Sequence, residues 1–399
     1  MVHKGEEMMS PAPWRAKITG LLPRRELFPG RSTDLRTPLP SLASEVFRRL
    51  SRGMSMSTDS LLSTLQAGQA LTESGTASMA ALLLNPTADA GVKAHLLRAL
   101  SAKGETAEEI AGFVLAFLDH AVRPPLDTAA LDRPAIDVCG TGGDKLDLFN
   151  ISTASLFVLA ACGVAVVKHG NRGITSRSGG ADVLEALGIR IDLPPARFAE
   201  CVKRHGAAFM LAPQYHPAFA AVGPVRRQLA QEGIRTIFNI IGPLLNPLRP
   251  AYQLAGVFDP SLPPVYGRIL LALGRTCAWT VHGSTADGRG MDEISTLGPT
   301  HIVISENGTL REETRTLPAP PHTLTDLQGA GADHNAALLV AILDGTDQGP
   351  KRHMILTNAA AALQVTGLAA NWEEGMGLAA EGVDSGRALG VLRGMQGFA

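Results

Sequence analysis

The sequence predicts an α/β protein, with a small all-α N-terminal domain ahead of a large α/β domain built on a mainly parallel central sheet. Three observations predict it. From Thr58 to about Val122 apolar residues recur at helical spacing. Beyond Ala135 short apolar strands alternate with helix-like segments, the pattern of a parallel sheet with crossover helices. Glycines cluster where those strands end, the edge at which open α/β sheets bind ligands.

The elements follow in order. Residues 1–55 are rich in Arg and Pro without a steady period and read as a disordered leader. Residues 56–122 form the helical domain, which helices around 215–235 are expected to join. Its segments "TDSLLSTLQAGQAL", "SMAALLLN", "AGVKAHLLRALSAKG" and "TAEEIAGFVLAFLDHAV" begin at polar caps or end near glycine. "TAEE" (Thr106 to Glu109) has the form of a capping box. Residues 123–134, "RPPLDTAALDRP", break the period and read as a hinge. Residues 135–399 make the α/β domain, with strands expected at "AIDVCG", "VAVVKHG", "AAFMLAP", "AYQLAGVF", "CAWTVHG" and "THIVISENG".

Composition narrows the function. A chain of 399 residues exceeds the usual size of one core, so two domains are natural. Thirty-six Lys and Arg against 37 Asp and Glu leave a formal charge of -1, which argues against nucleic acid or anionic membrane as a partner. The longest apolar run, Ala154 to Val167, is shorter than the ~20 residues needed to span a bilayer. The four cysteines lie far apart and form no C-x-x-C pair, so they read as free thiols in a reducing, cytoplasmic compartment.

The chemistry sits at the strand ends. "CGTGGDKLDLFNIST" (Cys139 to Thr153) follows a strand and opens a helix. Glycine lets backbone N–H groups approach an anion, and a helix start adds partial positive charge. The spacing is neither G-x-x-x-x-G-K-[ST] nor G-x-G-x-x-G, so nucleotide P-loop and dinucleotide readings are set aside. After the next strand, Lys168, His169, Asn171, Arg172, Thr175, Ser176, Arg177 and Ser178 gather cations and hydroxyls among glycines, enough to neutralise several phosphate oxygens. His216 and Arg226 stand on a presumed helix surface, a weak signal alone. Asp292 and Glu293, adjacent acids in a Gly-rich loop, offer hard oxygen ligands suited to Mg²⁺. Nothing has the arrangement of a Ser-His-Asp or Cys-His nucleophile. The sum fits a pyrophosphate-bearing substrate.

The motifs "GTGGD…FNIST", "KHGNR…S…GGADVLEALG", "HPA…VGPVR…RTIFNIIGPLLNP…QLAGV" and "DEIS…GPT" resemble those of the anthranilate phosphoribosyltransferases. "KGETAEEIAGF" adds to the likeness, which runs from about Ser57 to the C-terminus. The resemblance implies a helical domain hinged to the α/β domain and a homodimer joined through the helical domains. It implies transfer of 5-phosphoribose from 5-phosphoribosyl-1-pyrophosphate (PRPP) to the amine of anthranilate, a step of tryptophan biosynthesis. It assigns PRPP to Gly140, Gly143, Asp144, Leu148, Asn150, Ile151, Ser152, Thr153, Lys168, His169, Gly170, Asn171, Arg172, Gly173, Ile174, Thr175, Ser176 and Gly180. Anthranilate is assigned to Gly140, Asn171, His216 and Arg226, the last pairing its carboxylate. Mg²⁺, two ions per subunit, falls to Ser152, Asp292 and Glu293. No acid/base dyad is implied; His169 is the one candidate.

Three positions depart from the family pattern. Leu148 replaces a Thr or Ser, Gly180 replaces a frequent Ser, and "RRQLAQEGIRT" after Arg226 is a few residues longer. The competing readings are a pyrimidine nucleoside phosphorylase-like enzyme, which shares the architecture, and a non-catalytic paralogue that binds nucleic acid. "KHGNR" speaks against the first and the neutral charge against the second.

Overall fold

The computed structural model describes residues 56–173 and 178–398. The leader at 1–55 and the expected ligands Ile174, Thr175 and Ser176, with Arg177, lie outside the described residues.

Four helices open the described chain: α1 (Thr58–Gln66), α2 (Glu73–Leu84), α3 (Ala90–Lys103) and α4 (Ala107–Leu118). Each starts at a side chain that accepts from the first turn: Ser57 from Ser60 N, Thr72 from Gly75 N, Asp89 from Val92 N and Thr106 from Glu109 N. The α4 capping box forms, and Glu109 extends it. Its buried carboxylate accepts from Thr106 N at 2.9 Å, from Leu71 N at 2.8 Å and from Lys103 Nζ at 2.7 Å. One carboxylate thus ties the α1–α2 connection to α3 and α4.

The larger unit is an eight-stranded sheet in the order β3-β2-β1-β4-β5-β7-β8, with β6 (Gly290–Met291) paired to β5. Strands β1 (Ala135–Gly140), β2 (Ala165–Gly170), β3 (Ala207–Leu211), β4 (Tyr252–Gly256) and β5 (Cys277–Ser284) run parallel. Their nearly continuous burial explains why they read as apolar runs without alternation. The helices between them include α5 (Ile151–Ala161), α6 (Gly180–Ala186) and α7 (Pro195–His205). Five C-terminal helices among the described residues, Pro350–Val365 packed on α5 among them, complete the domain.

The sheet turns antiparallel at one edge. β7 (Thr300–Glu306) pairs with β5, and β8 (Thr309–Arg315) folds back on β7. The turn residues Asn307 and Gly308 have φ of 52° and 78°, the left-handed pair a tight hairpin requires. β8 is exposed and laced with Arg311–Glu313–Arg315 ion pairs, so its solvated charges hid it as a strand and protect the edge from further pairing.

The helical residues Leu61, Leu83, Leu97, Phe113 and Phe117 share one core with α8 (Gly223–Gln231) through Val225 and Leu229, and with Ile237 and Phe238. That core continues into β4 through Ala255 and, just past the strand, Val257. A second core fills the rest of the sheet from Ile136 to Phe398. The segment after β3 therefore returns to the N-terminal helices and hangs over the sheet's carboxyl edge. We predict that Glu109→Ala, which strands a buried ammonium and two N–H groups, lowers stability by about 3–5 kcal/mol. Thermal unfolding reads it; a melting temperature equal to that of the unaltered chain contradicts this role for Glu109.

Candidate functional site

Glycines end three neighbouring strands: Gly140 on β1 and Gly256 on β4, which face each other in register, and Gly283 near the end of β5. A Cβ on Gly140 would collide with the Asp292 carboxylate, one on Gly256 with the Asp292 backbone carbonyl, and one on Gly283 with the Glu293 carbonyl. The bare strand ends let the 291–293 loop cross directly over the sheet's tip. Asp292 is then fixed by Gly142 N, which donates to its Oδ2 at 2.7 Å. Gly142 and Gly143 take φ of 69° and 89°, the left-handed backbone that turns these amides inward.

These groups line a cleft of about 570 Å³. On its walls stand Gly140, Gly143, Asp144, Leu148, Asn150, Ile151, Ser152, Thr153, Lys168, His169, Gly170, Asn171, Arg172, Gly173, Gly180, Arg226, Asp292 and Glu293, so the structure brings together every described residue expected there except His216. Burial, and then the charge of Asp292, pushes the Asp144 carboxyl up. Burial, and then the same neighbour, drives Glu293 well above the usual range. The adjacent cation is Lys168, whose Nζ donates to the Val138 carbonyl and, at 3.1 Å, to Ser152 Oγ.

Some expected ligands have their polar atoms committed elsewhere. Asn150 Oδ1 accepts from Ser178 Oγ at 3.0 Å and from Asn335 Nδ2 at 2.8 Å, while its own amide donates to the Ser178 carbonyl. The Arg172 guanidinium turns to Glu185 and Asp182, within 2.6–3.3 Å. Asp182 also accepts from Gly173 N and Gly179 N, so it pins both shoulders of the loop after β2. Leu148 packs against the core and pairs with Gln328 across an isolated bridge, which accounts for an apolar residue in place of a hydroxyl. Gly180 lies where a Cβ would come within 2.7 Å of Thr153 Oγ1, so any side chain there would crowd that hydroxyl.

A second cleft of about 470 Å³ adjoins the first and shares Gly140, Thr141, His169, Asn171, Arg226, Phe238 and Asn239 with it. This is where His216 stands. Its walls are aromatic. His216 stacks on Phe219 at 5.2 Å and meets His169 edge-on at 5.1 Å, and Phe219 contacts Phe238 edge-on. Arg226, half-buried, lies over the Phe238 ring at 4.8 Å. Burial, with His216 beside it, depresses His169 to about 3, and burial lowers His216 as well, so both rings are neutral. Among the described residues, His169 Nε2 and His216 Nδ1 are buried without a protein partner.

Beneath both clefts is a polar layer the sequence reading passed over. Asp137 accepts from His169 N at 3.3 Å and from Asn246 Nδ2 at 2.9 Å, and Asn246 also donates to the Val167 carbonyl at 2.7 Å. Asp137 had a signal, a carboxylate inside the apolar strand "AIDV". Gly256 and Gly283 had one too, each closing an apolar strand. Arg235, Phe238 and Phe258 had none beyond their place in a recognisable motif or just past a strand. Cys139 lines both clefts, but burial drives its thiol far up, so it is a protonated wall and not a nucleophile.

Comparisons bear on this geometry. A family profile described as "Glycosyl transferase family, a/b domain" matches residues 132–389, and one described as the family's helical bundle domain matches 59–121. The anthranilate phosphoribosyltransferase of Moorella thermoacetica is 42% identical over 338 residues, 84% of this chain and 96% of the relative. That of Thermomicrobium roseum is 44% identical over 342 residues, covering 84% and 94%. The crystal structure of the Thermus thermophilus enzyme superposes with a TM-score of 0.76 at 35% identity, covering 85% of this chain and 98% of that one. The Saccharomyces cerevisiae enzyme in complex with PRPP and Mg gives 0.72 at 26%, covering 86% and 98%. Among the described residues no helix is long and apolar enough to cross a membrane.

We predict that Gly256→Ala cannot be relieved by side-chain rotation, because its methyl meets backbone. The loss is about 1–3 kcal/mol of stability, the usual penalty of an overpacked core, read by thermal unfolding; an unchanged melting temperature contradicts the crossing of the 291–293 loop.

Proposed function

The chain belongs to the anthranilate phosphoribosyltransferase family, and from that premise we propose how its two clefts divide the work. The reaction moves 5-phosphoribose from PRPP to the amine of anthranilate and releases pyrophosphate, in tryptophan biosynthesis. The carrying observation is the juncture of the clefts: a glycine-turned, acid-floored cavity opens into an aromatic one at Gly140, His169, Asn171 and Arg226. The first takes PRPP and the second anthranilate.

In the PRPP cleft the Gly143 amide and the start of α5 supply N–H donors, and Lys168 supplies a cation; the Thr141 and Gly142 amides instead hold the turn to Gly256 and Asp292. Ser152 and Thr153 contribute hydroxyls at the helix start. Arg172 is read as acting indirectly, by holding the loop after β2, since its guanidinium is engaged by Glu185 and Asp182 and its N–H donates to Asn171 Oδ1. Asn150 serves by tying the 178 shoulder to α5.

Mg²⁺ fits the acids. Asp144, Asp292 and Glu293 are crowded and half-buried, each raised by loss of hydration, and a divalent cation would relieve that crowding. Among the described residues no three His, Cys, Asp or Glu side chains form a metal cage by themselves, so the remaining ligands would come from water and substrate phosphate, the usual Mg²⁺ arrangement. Asp292, Glu293 and Ser152 would hold it, two ions per subunit being the reading. When bound, the ion offsets charge on the departing pyrophosphate.

Anthranilate's amine is an aniline, neutral and nucleophilic near pH 7, so the site needs no strong base. A His169 depressed to about 3 could not serve as one. Its unpartnered Nε2 is instead an acceptor that can orient the amine toward C1. Arg226 pairs the substrate carboxylate, and the Phe219 and Phe238 rings flank its ring. The catalytic burden falls on preorganised donors at the leaving group and on alignment of the amine opposite it. The homodimer through the helical domains and a cytoplasmic site remain part of this reading, the first open to sedimentation analysis.

Loss of anthranilate fluorescence on adding PRPP and Mg²⁺ tests the activity; no change under any of these conditions contradicts it. Arg226→Ala is predicted to raise the anthranilate KM about 10- to 100-fold, the worth of one charge-assisted pair, with the PRPP KM unaltered. Equal damage to both substrates would give Arg226 a different job. Asp292→Asn and Glu293→Gln are predicted to shift the Mg²⁺ dependence of turnover upward, and an unmoved metal titration removes them from the ion's site.

A further inference from the structure

We infer that Arg235 is a PRPP ligand, carried on the helical side of the cleft, that closes on the pyrophosphate end of the donor. This deepens the reading of the first cleft and rests on it.

Arg235 lies in the connection after α8, and its backbone is fastened to the N-terminal helices. Its carbonyl accepts from Ser101 Oγ of α3 at 2.7 Å. Three residues earlier Glu232, at the end of the stretch that is longer than the family pattern, forms a bidentate pair with Arg98 of the same helix, with contacts of 2.6–3.1 Å. The Arg235 side chain nonetheless reaches the α/β domain. Its guanidinium lies over the ring of Phe258, 5.2 Å from the centroid, just beyond the end of β4. Phe258 in turn borders the glycine turn: a Cβ on Gly143 would sit 3.7 Å from its ring, and its N–H donates to Thr141 Oγ1 at 3.4 Å.

The chain Gly143–Phe258–Arg235 therefore sets a cation on the wall of the first cleft, one ring away from the glycine turn, where it also acts on Asp259. A guanidinium held over a ring by cation–π attraction can still direct its N–H donors at a phosphate in two-point fashion. Its position separates it from Arg226. Arg226, Phe238 and Asn239 line both clefts, whereas Arg235 and Phe258 line only the first. Arg226 thus serves the acceptor and Arg235 the donor. The turn end, rather than the α6 end of the cleft, selects the pyrophosphate over the 5-phosphate.

The test uses the full-length chain with Arg235→Leu, Arg235→Lys and Phe258→Leu. Inorganic pyrophosphate and ribose 5-phosphate are run as separate inhibitors of turnover. Arg235 is exposed, so its variants should fold, and thermal unfolding confirms this. Arg235→Leu is expected to raise the PRPP KM and weaken pyrophosphate inhibition about 10- to 100-fold, as for one lost charge-assisted contact. Ribose 5-phosphate inhibition and the anthranilate KM stay within about twofold. Arg235→Lys restores part of the loss, and Phe258→Leu, which keeps the cation but not its platform, gives a smaller loss of the same kind. Unchanged pyrophosphate inhibition overturns the inference, as does a loss confined to ribose 5-phosphate or to anthranilate. Absence of turnover in the unaltered protein would instead defeat the functional reading itself.

Discussion

The whole site depends on one steric allowance: three adjacent strands carry a residue without a side chain at or next to their ends. Gly140, Gly256 and Gly283 leave the sheet's tip open, and the 291–293 loop occupies that opening. Without it, Asp292 and Glu293 could not sit within reach of the Gly142 amide, Asp144 and Lys168. Carboxylates brought this close and this deep repel one another and lose hydration, which is why their protonation is shifted upward. Such an arrangement is unfavourable for a resting protein, and the cation and polyphosphate of the proposed function would relieve it. The fold accommodates it through rigid support: a buried strand under each glycine, and Asp137 with Asn246 locking β1 and β2 from below.

Charge is distributed unevenly between the two clefts, and the chemistry follows from that. The first cleft, proposed for the donor, concentrates acids, amides and Lys168. The acceptor side is aromatic, its two histidines neutral, with Arg226 at the juncture. An aromatic carboxylate with a weakly basic amine suits the second environment, and a magnesium-bound diphosphate suits the first. The helical residues contribute to both, since Phe238 belongs to the core shared with the N-terminal helices and carries Arg226 on its ring.

The sequence disclosed most of this because the relevant signals were local. Parallel strands announced themselves as apolar runs ending in glycine, and the capping box at Thr106 and Glu109 needed no partner outside α4 to be recognised. Three kinds of feature were hidden. β8 carries alternating charges on an exposed edge and offers no apolar pattern. The Asp137–Asn246 contact joins residues 109 positions apart, which spacing cannot reveal. The commitments of Arg172 and Asn150 depend on neighbours, Glu185 and Asn335, that their own motifs do not contain. Residue identity placed these side chains in the cleft, but only packing decides which of their atoms remain free to meet a ligand.

The most direct measurement is a crystal structure of this protein with PRPP and Mg²⁺. The account predicts the diphosphate between the Gly140–Thr153 turn and the Asp292–Glu293 loop, with the ribose C1 facing the aromatic cleft. A diphosphate bound away from that turn and those acids, or a C1 facing away from His169 and Arg226, would contradict it.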